Sequence, residues 1–325
     1  MDKPFKSYDE LIEKLRDKKL LIPNEDRAKN LLKKYSYFAL ISGYKDIFKA
    51  KPDDVTGERF YRIGTTIDDI LALYQFDAQL RKIFLDMSLI VEIHMKSILS
   101  YSFVEINGDD QKQYLDVKNY NAVDPDSSIA AIKARAVKKL IGILNKLVTP
   151  PFDHEYIGHQ WSKHKNIPLW VAVKALSFGQ ISKMYSLCPQ KIQTRVSKEF
   201  RGVMRKDLQS MLALLTDIRN VCAHNERLYN IKVNPTHIAP DTKIHSLLGI
   251  KKNERGVYLQ GKDDLFSAII CLKYLLPNAD FLHSLHQIEE AIDDLCLATT
   301  RVQKKQILKL MGFPNTWEMI KSIVI

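Results

Sequence analysis

The stretch from Thr66 to Ile106 limits the fold most. It contains no glycine or proline and opens on a threonine suited to cap a helix. Such a run is one bent helix or two in series. Breakers gather on either side of it, Pro52, Gly57 and Gly64 before and Asn107-Gly108 after, with room for a short extended piece at Arg59–Ile63. A second run, Val203 to Asn234, also lacks glycine and proline. Its Leu208, Met211, Leu212, Leu215, Ile218 and Cys222 recur at the three-and-four spacing of a helix packed on a core, so one long helix is expected over about 203–230.

Shorter segments read the same way. Ser7-Tyr8-Asp9-Glu10 is a capping box opening a helix to about Lys19. A second helix near 25–40 is closed by Gly43. Ser127-Ser128 caps a basic helix over 129–147, which Thr149-Pro150-Pro151 breaks. After an irregular stretch, Pro168 opens a helix ending near Gly179, and short helices follow at 180–187 and 189–200. The loop 231–260 holds a small hairpin around Asn253–Gly256, and helices are expected at 262–276, 279–297 and 301–311. The class is all-α. It divides into an N-terminal helical segment (1–64), a helical core (65–234) with a basic insert (129–206), and a C-terminal helical extension (235–325) packed on the motif helix or on a partner.

Charge is unevenly spread. The chain of 325 residues carries a net +11. Residues 129–206 hold 15 Lys and Arg against three acids, +12 in 78 residues, so everything else sums to −1. A polyanion is the natural partner of such a region, and Lys138, Lys139, Arg201 and Arg205 are its candidate phosphate contacts. The aromatic residues Tyr156 and Trp161, in the less regular part, are candidates to stack on unpaired bases. Trp170 and Phe178, at helical spacing, are expected in the core. The bland alternative is a solvated basic face. The most apolar run, Ser88 to Leu99, is interrupted by Glu92, His94 and Lys96, so no membrane span is expected. The four cysteines show no metal-ligand spacing, and with no apolar leader at the N-terminus a reduced cytoplasm is expected.

Chemistry concentrates in Asp217–Asn230. Arg219 and His224 combine a permanent cation with a group able to move a proton near neutral pH, which is what phosphodiester cleavage needs. On one straight helix they point about 140° apart. Arg219 also borders the apolar stripe, where an unpaired cation is costly. Both problems ease if a second copy of the chain faces that edge, the single-chain alternative being a helix that kinks at the motif. Asn220, His224 and Arg227 share a face. The plain alternative is an arginine paired with a carboxylate and a surface histidine.

The segment Arg219-Asn220-x-Cys222-Ala223-His224-x-x-Arg227-Leu228-Tyr229-Asn230 resembles the signature of Abi-family abortive-infection proteins, the AbiD/AbiF-like group. Tyr37–Tyr44, Leu73–Arg81, Pro168–Trp170 and Leu176–Ser182 fit the same family in the same order. The resemblance runs from about residue 8 to 230. It implies the HEPN superfamily of ribonucleases: a HEPN-type helical bundle, a metal-independent endoribonuclease without cofactor, and a homodimer whose site uses Arg219, Asn220 and His224. It also implies RNA as substrate and possible regulator, in phage defence or as a toxin. Arg227 either contacts RNA or pins the helix. A non-catalytic RNA-binding protein on the same fold is the alternative, and a helical adaptor for protein partners is a third.

Other constellations are weaker. His154, His159 and His164 recur every five residues and do not share a helix face, so a metal site is not expected there. His283 and His286 read as helix surface. There is no glycine-rich phosphate loop and no nucleophile elbow. Glu92, on an apolar helix, either orients a cation or reaches for solvent.

Overall fold

The computed structural model describes residues 4–52, 57–121 and 127–325. In chain order its helices are α1 (Tyr8–Asp17), α2 (Glu25–Tyr35), α3 (Ile67–Asn107), α4 (Gln111–Leu115), α5 (Ser127–Val148), α6 (Glu155–His164), α7 (Leu169–Ala172), α8 (Phe178–Leu187), α9 (Gln190–Ser197), α10 (Arg205–Ala223), α11 (Lys243–Leu247), α12 (Leu265–Leu275), α13 (Asn278–Ala298) and α14 (Lys304–Leu310). Among the described residues there is no β-strand, only isolated bridges. The fold is all-α.

Everything is arranged on α3, a continuous helix of 41 residues, about 60 Å long at 1.5 Å per residue. Thr66 caps it with a full capping box: Asp69 N–H donates to Thr66 Oγ1 at 3.2 Å, and Thr66 N–H donates to Asp69 Oδ2 at 2.7 Å. Phe76, Leu80, Phe84, Met87, Val91, Met95 and Leu99 are buried along it at three- and four-residue steps. Helices α7, α8, α9, α10 and α13 all pack against it. On α10 lie α8, α9 and α12, and α5 sits one layer further out, on α8, α7 and α4. The C-terminal helices therefore pack on the α3–α10 pair.

The Ser7 capping box is present, with Glu10 N–H on Ser7 Oγ at 3.3 Å and Ser7 N–H on Glu10 Oε2 at 2.6 Å. The hairpin at Asn253–Gly256 is a single turn closed by a Lys252–Tyr258 bridge. The extended piece near Arg59–Ile63 is likewise one bridge, Lys49 to Tyr61. The cap expected at Ser127-Ser128 falls on side chains outside those described.

Three expectations fail for local reasons. α2 stops at Tyr35, because Ser36 takes φ 61°, and a π-helical turn over Phe38–Ser42 follows. Gly43 is right-handed and caps that π-helical turn, not α2. Gly179 does not close a helix either. It sits in the first turn of α8, behind a Ser177/Gln180 capping box, where an added Cβ would stand 3.1 Å from Thr216 Cγ2. The glycine lets α8 approach α10 closely. Finally, the stretch read as irregular contains α6, so Tyr156 and Trp161 lie on a helix.

Candidate functional site

The motif helix ends sooner than its composition suggests. α10 stops at Ala223 and His224 is its C-cap. Asn225 follows at φ 56°, a left-handed position that asparagine tolerates better than most residues. Glu226 N–H then donates to the Val221 carbonyl at 3.0 Å, and Asn225 N–H to the Cys222 carbonyl at 3.3 Å. These two bonds are the paired closure of a Schellman end. The expected helix over 203–230 is thus cut at 223, and the chain turns back over Arg227–Tyr229.

A buried carboxylate holds that return. Asp77, fully buried on α3, accepts from the Leu228 and Tyr229 amides, the latter at 2.7 Å, and from Tyr44 Oη at 2.6 Å. Arg81 Nη1, also buried, pairs with it at 2.6 Å and reaches the Tyr44 hydroxyl at 3.1 Å. Burial pushes the Asp77 carboxyl up, against the pull of the Tyr44 hydrogen bond, the Arg81 charge and the two amides. Tyr44 stacks on Tyr229 with ring centroids 6.1 Å apart. Arg227 adds an outer tie, its Nη1 donating to the Gly43 carbonyl at 2.6 Å.

The result is an open cleft of about 670 Å³ lined by Asp217, Asn220, His224, Glu226, Arg227 and Lys232, among others. Asn220 and His224 are exposed in it. They share the cleft with Arg227, although Arg227 arrives by the turn and not by helical spacing. Arg219 does not line it. Its side chain is half-buried toward Cys222, and its Nε is enclosed without a hydrogen-bond partner. One protomer therefore does not aim Arg219 and His224 into the same cleft. Beside the cleft, His237 Nδ1 lies 2.8 Å from Asp217 Oδ2. Sequence reading missed this pair; 20 residues of linear separation give no signal, and only the reversal after α10 brings His237 back.

The basic candidates spread widely. Lys138 and Lys139 are exposed on α5, separated from α10 by α8. Arg201 is exposed just before α10, and Arg205 is half-buried at its start, about 21 Å from Arg219 along the helix axis. Tyr156 is half-buried under Lys174, whose Nζ stands 4.9 Å from the ring centroid. Trp161 packs half-buried near Phe152, centroids 6.4 Å apart. Phe178 is core as expected, but Trp170 is 39% exposed beside Tyr101, with centroids 6.3 Å apart. On this single turn Leu169 and Ala172 take the buried side, and Trp170, next to Leu169, stands on the other. Glu92 is buried and pairs with Lys96 at 2.7 Å, and its Oε2 has no partner. Among the described residues, no group of His, Cys, Asp and Glu is placed to hold a metal ion, and no helix is long and apolar enough to cross a membrane.

Residues 30–230, more than half of the chain, match the model of a family described as Abi-like protein. The chain belongs to the Abi-like family. No curated protein and no solved structure matches it. The Abi-like region contains the whole tie just described. Tyr44, Asp77 with Arg81, and Glu226–Tyr229 come from three separate sequence stretches and meet around one carboxylate.

Proposed function

We propose that this Abi-like protein is a metal-independent endoribonuclease of the HEPN type, acting in abortive-infection defence or as a toxin. The observation that carries the reading is the end of α10. There an exposed imidazole shares a cleft with Asn220 and Arg227, while the neighbouring Arg219 keeps a buried donor unsatisfied. A buried guanidinium N–H without an acceptor is costly, and a shift of the Arg219 side chain on docking RNA or a second chain would give it one.

In the proposed reaction the RNA's own 2′-hydroxyl attacks the adjacent phosphorus and the 5′-oxygen leaves. His224 takes the 2′-proton or supplies a proton to the leaving oxygen. Arg219 stabilises the charge that builds on the phosphoryl oxygens, and Asn220 holds the phosphate. The products are a 2′,3′-cyclic phosphate and a 5′-hydroxyl end. Since one chain aims Arg219 away from the cleft, the working unit is a homodimer in which two α10 ends face each other across a twofold axis. The deciding experiment incubates labelled RNA with the protein in EDTA and identifies the ends. Cyclic-phosphate and hydroxyl termini support the reading. RNA bound but left intact would reduce the protein to an RNA-binding module.

RNA affinity is assigned to residues 129–206. Phosphate contacts release counterions, so log K falls linearly with log salt. Reversing Lys138, Lys139, Arg201 and Arg205 to Glu together removes up to four such contacts and flattens the slope by about 3–4. Binding measured across a salt series checks this. A slope unchanged by all four places the RNA on another surface.

A further inference from the structure

A second pocket is built from the N-terminal part of the chain and is lined by no residue of α10. α1, the π-helical turn over Phe38–Ser42 and the short 3₁₀ turn over Lys45–Phe48 enclose about 640 Å³. That falls inside the roughly 300–1,000 Å³ of small-molecule sites. Its lining is strongly one-signed. Lys6, Lys14, Lys18, Lys45 and Lys49 all border it, and among the described residues no acidic side chain does. Lys18 is paired with Glu58 at 2.9 Å, and Lys49 donates to the Arg59 carbonyl at 3.0 Å. Burial pushes the Lys49 ammonium down, and the charges of Lys45, Lys18 and Arg59 push it further, against the pull of Asp46. Cations gathered in a half-enclosed space repel one another, and an anion placed among them relieves the repulsion.

Three aromatic rings, Tyr37, Phe38 and Tyr61, share the lining with Pro4, Leu11, Leu15 and Ser42. Lys14 stands 5.3 Å over the ring of Tyr37, and Lys49 stands 5.3 Å over the ring of Tyr61, which fixes both ammonium groups at the pocket wall. Phe38, on the π-helical turn, is 82% exposed and lines the same space. An exposed phenyl ring beside clustered lysines offers a planar ligand a stacking face and its phosphates their counter-charges.

We propose that this pocket binds a phosphate-rich nucleotide, either a free nucleoside triphosphate or the 5′-triphosphate end of an RNA. The lysines hold the phosphates, and Phe38 with Tyr37 takes the base. The site uses no residue of α10 and does not depend on RNA cleavage. It is tested on the full chain, wild type and His224→Ala alike, by calorimetry and thermal melting without divalent metal. The probes are ATP, adenosine, inorganic triphosphate, and one short RNA carrying either a 5′-triphosphate or a 5′-hydroxyl. ATP at about 100 times its Kd is expected to raise Tm by ~4 °C, whereas adenosine gives no shift. Replacing Lys45→Gln and Lys49→Gln together weakens ATP at least tenfold. Phe38→Ala weakens ATP and leaves inorganic triphosphate unchanged. Binding of the triphosphate-ended RNA alone, with ATP inert, identifies the RNA end as the source. The proposal is overturned if neither ATP nor the triphosphate end is preferred over its phosphate-free counterpart. It is equally overturned if the double lysine variant, folded by circular dichroism, keeps full affinity. Binding here without any RNA cleavage would sink the ribonuclease reading and leave the pocket standing.

Discussion

Replacing His224→Ala is expected to lower RNA cleavage by about 10²–10⁴-fold, the usual contribution of a positioned acid or base. Arg219→Ala should cost about 10²–10³-fold, because it deletes charge stabilisation of the phosphoryl oxygens. Neither change should unfold the chain. His224 is exposed at a C-cap and donates no side-chain hydrogen bond that holds the turn, while Arg219 already leaves its Nε unpaired. Mixing the two inactive chains is the sharper experiment. If each site takes its arginine from one protomer and its histidine from the other, a mixed dimer rebuilds one complete set and recovers part of the activity. Self-contained sites give a mixture as inactive as either component. Full activity in both single variants would place the chemistry elsewhere.

Asp77→Ala should be the most damaging substitution outside the cleft. It removes the acceptor of four donors at once: Tyr44 Oη, Arg81 Nη1 and the amides of Leu228 and Tyr229. Arg81 is then a buried cation without its partner, a situation that costs about 3–5 kcal/mol. For a chain of this length that corresponds to a fall in Tm of ~4–8 °C. The return over Arg227–Tyr229 should loosen with it, so hydrogen exchange at Leu228 and Tyr229 accelerates and cleavage falls with His224 and Arg219 still in place. Asp77→Asn, which keeps an acceptor oxygen, should lie between the two. A melting temperature within 1 °C of wild type would show that Asp77 does not carry the turn.

What the sequence revealed and what it concealed follow one physical division. Caps and breakers act within four residues, so Ser7, Thr66 and Asn107-Gly108 mark helix ends that are found where they are read. The end of α10 carries no glycine or proline. It is made by a left-handed asparagine and is held by Asp77, about 150 positions upstream in the chain. Its motif is legible as chemistry while the bend that displays it is not. The same holds for Trp170. Its spacing is that of a core residue, but the helix around it is one turn long, and periodicity has no force over four residues. The Asp217–His237 pair and the lysine pocket are likewise products of chain reversal, and linear spacing does not announce them.

The 41 residues of α3 also decide what can be cut away. The family match ends at residue 230, yet α13 lies along α3 and α12 lies against α10. Thr299 and Arg301 hydrogen-bond to Asp69 and the Gly64 carbonyl at the start of α3. On α13 alone, Phe281, Leu285, Ile288, Ile292 and Leu295 are buried. At about 1.5–3 kcal/mol each, their burial is comparable to the whole net stability of a folded protein, about 5–15 kcal/mol. A chain stopped after the motif would bare that strip of α3 to water and melt or aggregate, taking the Asp77 tie with it. The inherited region and the folding unit are different lengths of the same polypeptide, and trimming to the first destroys the second.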